Sequence, residues 1–299
     1  MAENMKVMQE KDLEKVTSRD KVMKIVVKVG TYLFLGIMAL IVIFPFYWML
    51  VSSVADAETY STSDPTLYPQ DFIIHNYVEA FNAGNIGRLF ANTVYVGVVS
   101  TILSLIITVL SAFAFARLEF KGKNALFGFL LATMMIPGEL FTITNYQTVA
   151  KFDWLNTFTV LIIPFLVSVF YIYLLRQNFM QIPNELYLAA KVDGTTDLKY
   201  LWKVMIPLAL PTLISITILK MMGSWNTYMW PKLVANDEAH RLITNGIRQM
   251  QFSVNGDQSR PNIPVQMAAV TIVSTPLFLV FVFLRKYIMK GVARSGIKG

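Results

Sequence analysis

The sequence predicts an all-α polytopic membrane protein with about six spanning helices, on three observations. Only 15% of the 299 residues are charged and 55% are hydrophobic, with a mean hydropathy of +0.51; a soluble domain carries about 25% charged residues. The apolar residues fall into six stretches near the length of about 20 residues that a helix needs to cross a bilayer core. The 26 lysines and arginines gather at the ends of those stretches, a placement that reports topology rather than a basic face. The net charge of +7 and the pI of 9.4 therefore do not argue for a nucleic-acid partner. Length alone would allow two soluble domains, but the apolar excess runs along nearly the whole chain and favours one membrane domain. With no cysteine, disulfides, thiolate metal sites and cysteine nucleophiles are excluded.

Each span is bounded by charge. No charged side chain lies between Lys28 and Asp56, which gives the first helix over about 27–51. That stretch is too long for a signal-peptide core and lacks a small-residue cleavage site. The charged, roughly amphipathic segment before it, Met1 to Met23, reads as a short surface helix. Arg88 and Arg117 enclose the second span, about 92–116. The third starts after Lys123 and runs to about Tyr146, with Glu139 near its outer end. Asp153 and Arg176 bound the fourth. The fifth begins near Met205, carries Lys220 inside it and ends near Tyr228, and Arg260 and Arg285 bound the sixth. Pro45, Pro137, Pro164, Pro211 and Pro276 fall inside spans, which a membrane bundle tolerates where neighbours satisfy the freed carbonyls.

Lysine and arginine also orient the chain. Nineteen of the 26 lie in the N-terminal segment, the loop from Arg117 to Lys123, the loop from Arg176 to Lys203 and the C-terminal tail. With positive residues inside, both termini are cytoplasmic. The expected organisation is a cytoplasmic segment over 1–25, a transmembrane domain over 26–289 with a cytoplasmic loop at 181–204, and a cytoplasmic tail over 290–299. Two long loops then face outward, about 52–91 and 229–264, each with aromatic and polar residues suited to an external protein or solute.

The connection between the fourth and fifth spans is the most informative segment. Pro183 suits a first helical turn, and Leu186, Ala189, Ala190 and Val192 follow as a narrow stripe with small members. Gly194 can take the left-handed conformation that ends a helix. Thr195 or Thr196 can cap a second helix, with Asp197 favourable in its first turn. The segment thus predicts a helix, a sharp turn and another helix. Its residues alone leave two readings open, a docking element for a partner or an interfacial amphipathic loop.

This loop resembles the EAA loop of binding-protein-dependent ABC permeases, whose pattern runs approximately E-A-A-x-x-D-G with prolines following. Ala189, Ala190, Asp193, Gly194, Pro207 and Pro211 match, while Leu188 stands at the leading acidic position. Phe44-Pro-Phe-Tyr-Trp-Met49 is similar to the end of the first span in carbohydrate-type members. Trp225-Asn226-x-Tyr228-x-Trp230-Pro231 is similar to their segment after the fifth span, and Lys290 to Gly299 looks like the glycine-rich tail of the maltose-type second permease. The resemblance implies the type I permease fold of ABC importers. It implies an ATP-driven, binding-protein-dependent importer of a sugar or oligosaccharide in a bacterial inner membrane. The implied partners are a second, different permease, two copies of an ATPase and an external solute-binding protein. It also implies that Ala189, Ala190, Asp193 and Gly194 belong to an ATPase-coupling loop; Glu185, three residues before Leu188 on a neighbouring part of the same face, is either the substitute acid for that loop or an early-turn acid favoured by the helix dipole. Glycerol-phosphate and polyol systems share much of this pattern.

The chain has no phosphate-binding loop of the form G-x-x-x-x-G-K-[ST], so it is expected to be a non-catalytic subunit without cofactor or metal. A membrane enzyme would need a nucleophile or metal constellation, and the only histidines, His75 and His240, read as surface residues of the outer loops. An ion-coupled carrier would need intramembrane carboxylates, for which Glu139 is the one candidate. Glu139 and Lys220 are the two charges inside spans, at matching depth. They can pair, line an outer cavity beside Asn145, Trp225 and Asn226, or lie in the headgroup zone and snorkel outward. The expected solute path comprises Glu139, Asn145, Lys220, Trp225, Asn226, Tyr228 and Trp230.

Overall fold

The computed structural model describes the chain except residues 1, 63–66, 70, 84, 251, 255–256 and 294–299. For 2–21, 61–62, 83, 249, 257–260 and 286–293 it describes the backbone alone. Most of the basic, glycine-rich tail thus lies outside the described residues. Among the described residues three helices are long and apolar enough to cross a membrane: α1 (Ala2–Ser53), α4 (Ile86–Arg117) and α15 (Ile263–Ala293). The charged segment up to Met23, expected as a short surface helix, is helical and runs into the first span without a break. Pro45 and Pro276 are carried inside α1 and α15 without ending them.

The other three spans are bent pairs, and each break has a proline in it or within two residues of it. The third pairs α5 (Lys123–Thr133) with Gly138–Lys151, which opens on a 3-10 turn (Gly138–Phe141) and continues as α6 (Thr142–Lys151), at 83°. Pro137 disfavours helix at the residue before it, so the single helix expected to Tyr146 is broken, and Glu139 sits in the tight turn rather than in a helix. The fourth pairs α7 (Phe158–Ile162) and its 3-10 extension through Phe165 with α8 (Val169–Met180) at 46°. The fifth, expected from near Met205, pairs the stretch Asp197–Leu208, which contains Met205, with a second helix. Here α12 (Leu210–Asn226) follows an 80° bend at Ala209, because Pro207 and Pro211 each lack the amide that a continuous helix would use. The lead into that bend is α10 (Asp197–Tyr200), a π-type turn over Leu201–Met205 and α11 (Ile206–Leu208).

Between α8 and α10 lies α9 (Asn184–Val192). The two long connections fold into short elements: α2 (Ala57–Thr62) and α3 (His75–Ala83) before α4, then α13 (Met229–Val234), α14 (Ile243–Gln249) and a hairpin of β1 (Ser253–Val254) with β2 (Asp257–Pro261) before α15.

Helix α4 is the centre of the bundle. It packs against α8, α12 and α14, whereas α1 lies along α15 with its apolar window wholly unburied within the chain. The buried face of α4 is small and weakly polar, with Thr93, Gly97, Ser100, Thr101, Ser104, Thr108 and Ala112. That composition lets neighbouring backbones approach closely in a solvent that gives no hydrophobic drive. Val109, Ala112 and Phe113 meet Leu175 and Phe179 of α8 and Ile216 of α12 at one end; Val96 meets Leu161, Trp230 and Leu242 at the other.

Candidate functional site

The loop between the fourth and fifth spans folds as the expected helical hairpin, held at one end of the bundle. Gly194 is left-handed, with φ +69°. Its amide bonds Lys191 O at 3.1 Å, and the amide of Thr195 bonds Ala190 O at 2.8 Å, the paired bonds that satisfy the last carbonyls of a helix. Thr196 takes the cap position of α10, but its side chain makes no cap bond. Asp197 joins the two helices instead: Tyr187 Oη donates to Asp197 Oδ1 at 2.8 Å and Lys191 Nζ lies 2.7 Å from the same oxygen. Hydrogen bonding to Asp197 raises the Lys191 pKa, and burial, with the same carboxylate, raises that of Tyr187. A raised lysine keeps its contribution below its unfolded pKa and loses it only as pH climbs through the folded one, so the staple is intact at neutral pH.

Tyr187 and Ala190 turn toward the bundle core, so Ala190 leaves the stripe expected of it. The outward face carries Glu185, Leu188, Ala189 and Val192, all exposed and spaced i, i+3, i+4, i+7. Asp193 and Gly194 are exposed at the turn. Two arginines that the sequence marks only as boundary charges tie α8 to α4 and α5 at the base of the hairpin. Arg117, the last residue of α4, donates through Nη2 to Phe179 O at 2.9 Å and Ile182 O at 2.5 Å, and through Nη1 to Asn184 Oδ1 at 3.4 Å. Arg176 of α8 donates through Nε to Phe115 O at 3.1 Å and stacks its guanidinium 4.1 Å from the centre of the Phe127 ring.

At the break in the fourth span lies a cavity of about 350 Å³. Pro164 has no amide for the carbonyl of Val160, and Trp230 supplies the missing donor, its Nε1 lying 3.0 Å from Val160 O. Lys220 Nζ donates at 2.8 Å to Phe165 O, placing a cation at the C-terminal end of the first half-helix, where the peptide dipoles favour it. Lys220 and Trp230 both line the cavity, with Ser100, Ser168, Ser224 and Thr227 among the polar groups around them.

Glu139, Asn145, Trp225, Asn226 and Tyr228 stand outside that lining. Glu139 is exposed in its 3-10 turn and makes no ion pair with Lys220. Asn145 is half-buried on α6. Trp225 is buried edge-on to Phe90, with 5.4 Å between ring centres. Asn226 is exposed and bonds back to Met222 O at 3.0 Å. Tyr228 lies beneath Arg248 and Lys232, 5.2 and 5.6 Å from its ring centre.

The segment after α12 is fastened to α4 by polar residues that carry no sequence signature. Asn92 Nδ2 donates to Ala239 O and Arg241 O at 2.8 and 2.9 Å, and Thr93 Oγ1 accepts from Ile243 N at 2.9 Å. His75 is exposed, as expected. His240 is not a free surface residue: its Nδ1 lies 2.7 Å from Asp237 Oδ2 and its ring packs on Phe158.

A helical bundle with proline-broken spans around a mixed apolar and polar cavity, and a braced hairpin at one end, fits a multi-pass membrane permease. Residues 86–294 match the family of binding-protein-dependent transport system inner membrane components. The chain belongs to that family. An arabinooligosaccharides transport system permease protein of Halalkalibacterium halodurans is 28% identical over 87% of this chain and 93% of its own. A polygalacturonan/rhamnogalacturonan transport system permease protein of Bacillus subtilis is 29% identical over 90% and 96%. An sn-glycerol-3-phosphate transport system permease protein of Yersinia pestis is 26% identical over 88% and 95%. Among solved structures, a bacterial ABC transporter involved in the import of the acidic polysaccharide alginate superposes with a TM-score of 0.80 at 24% identity, covering 88% of this chain and 96% of that one. The fold is therefore that of a type I ABC importer permease.

Proposed function

We propose that the chain is the permease subunit through which an ATP-driven importer passes a sugar or oligosaccharide. The observation that carries this reading is the braced hairpin. An outward face of Glu185, Leu188, Ala189 and Val192 is presented rigidly at the end of the bundle, as a docking element for an ATPase requires. The names of the oligosaccharide permeases among its relatives support the substrate class. In this reading a second permease completes the path, two ATPase subunits close on ATP and rock the pair between inward- and outward-facing states, and a solute-binding protein delivers the cargo outside. Glu185, Ala189, Asp193 and Gly194 couple to the ATPase, with Glu185 standing one turn from Leu188 on the same face and Ala190 packed beneath them against the bundle. Glu139, Asn145, Lys220, Trp225, Asn226, Tyr228 and Trp230 border the solute path or its outer mouth. The lysine and arginine distribution puts both termini and the hairpin in the cytoplasm. The relative named for sn-glycerol-3-phosphate keeps a polyol phosphate as a second reading of the cargo.

The test is co-purification of the chain with its permease and ATPase partners, followed by uptake into proteoliposomes. Uptake of a labelled oligosaccharide is expected only with ATP on the ATPase side and binding protein on the other. Uptake by the chain alone, driven by an ion gradient, would overturn the reading. Since the chain has no cysteine, a single one placed at Thr196 reports orientation: labelling by an impermeant maleimide from outside intact cells would reverse the assigned topology.

A further inference from the structure

The cavity at the break of the fourth span has a feature that a neutral solute does not require. Lys220 carries three N–H donors, of which Phe165 O takes one. No carboxylate lines the cavity, and no ion pair among the described residues involves Lys220. Charges inside a bundle usually pair with one another, because an ion held away from water without a counter-charge is costly. Lys220 is half-buried, so a neutral sugar that displaced water from it would leave the ammonium without a counter-charge. An anion in the cavity would supply one.

We propose that this cavity binds a carboxylate-bearing saccharide, with Lys220 holding the carboxylate; the inference rests on the sugar-import reading above. The remaining lining suits the rest of such a ligand. Ser100, Ser168, Tyr171, Ser224 and Thr227 bring hydroxyls, and the Phe165 and Trp230 rings stand edge to face with centres 5.4 Å apart. The Trp230 indole N–H is already committed to Val160 O, so Trp230 offers the sugar its ring. One ammonium with two unused donors matches a monoanion. A phosphate dianion draws further cations or the planar fork of an arginine, and the lining holds neither. The volume of about 350 Å³ lies within the range of about 300–1,000 Å³ that encloses small ligands.

The experiment compares matched pairs of labelled disaccharides, digalacturonate with digalactose and diglucuronate with diglucose, with sn-glycerol 3-phosphate as a third probe. The complete importer and its binding protein are placed in vesicles of phosphatidylcholine alone, which removes anionic lipid headgroups as occupants. Wild type is expected to take up an acidic member in preference to its neutral partner. Lys220→Gln, which keeps an N–H for Phe165 O without the charge, is expected to lower the acidic-to-neutral uptake ratio by about tenfold or more, the loss expected for a hydrogen bond to a charged group. Lys220→Arg is expected to keep the preference. An unchanged ratio in Lys220→Gln, or equal loss of both members, would overturn the assignment while leaving sugar import standing. Lys220-dependent uptake of glycerol phosphate without uronate uptake would replace the carboxylate by a phosphate. Uptake of none of the saccharides while glycerol phosphate moves independently of Lys220 would remove the sugar reading and this inference together.

Discussion

Arg117 and Arg176 are crossed: each donates to backbone carbonyls near the end of the helix that carries the other. Arg117 reaches Phe179 O and Ile182 O past the end of α8, and Arg176 reaches Phe115 O near the end of α4. Helix C-termini leave carbonyls without intrahelical partners, and the two guanidiniums satisfy them while fixing the α4–α8 pair on which the hairpin stands. Replacing Arg117 by Met is expected to cost about 1–3 kcal/mol, since partly buried carbonyls lose a charged donor. Lys at that position recovers part of the loss, having the charge but not the fork. Thermal unfolding in detergent measures the stability change. Limited proteolysis within 184–196 reports loosening of the hairpin, which is expected to exceed that of the spans.

Gly194 is needed for its backbone rather than for space. A Cβ built there meets nothing within 4 Å, yet φ is +69°, a conformation costing a residue with a side chain about 1–2 kcal/mol. Gly194→Val is therefore expected to abolish ATP-driven uptake while the protein still inserts, because a branched residue would pull the turn out of its left-handed form. Gly194→Asn, which tolerates that form, is expected to retain most uptake. Normal uptake by the valine variant would separate this turn from coupling.

Much of this was legible in the sequence for definite physical reasons. The empty interval from Lys28 to Asp56 could be nothing but a span, and Gly194 between two helical patterns could be read as a turn. The prolines at 137, 164 and 211 were equally visible, but the bends of 83°, 46° and 80° they accompany were not. In the fourth span distant groups meet the freed carbonyls: Trp230 bonds Val160 across 70 positions and Lys220 bonds Phe165 across 55. Local pattern carries no trace of such partners. For the same reason Lys220 could not be assigned among pairing, lining and snorkelling, and Arg117 and Arg176 looked like ordinary boundary charges.

Gly246 marks the close contact between α14 and α4. A Cβ added there would fall 2.4 Å from Leu89 Cδ1 and 3.2 Å from its Cγ, and Leu89 is itself buried. Gly246→Ala is expected to destabilise by about 1–3 kcal/mol through overpacking. Leu89→Ala alone leaves a cavity and costs about 2–5 kcal/mol. In the double variant the new methyl occupies space the leucine vacates, so the combined loss is expected to fall short of the sum. Unfolding midpoints of the three variants measure that coupling, and strict additivity would mean that the two residues do not share the contact.

The pairing of Trp230 with Pro164 permits a sharper test, because one residue creates the need that the other fills. Trp230→Phe keeps most of the ring but removes the N–H, leaving Val160 O without a donor in a buried site; the expected cost is about 1 kcal/mol, near the typical size of an interhelical hydrogen bond in a membrane. Pro164→Ala restores the backbone amide at the position from which a continuous helix would serve Val160 O. With tryptophan present that amide gains little, since the carbonyl is already bonded at 3.0 Å. With phenylalanine present it can take over, straightening the fourth span and closing part of the cavity beside Lys220. Pro164→Ala/Trp230→Phe is therefore expected to be more stable than Trp230→Phe alone, yet to transport less than either single variant. Stability from thermal unfolding and uptake from proteoliposomes would then move in opposite directions. If the double variant is no more stable than Trp230→Phe, Pro164 is not the reason that Trp230 reaches for this carbonyl.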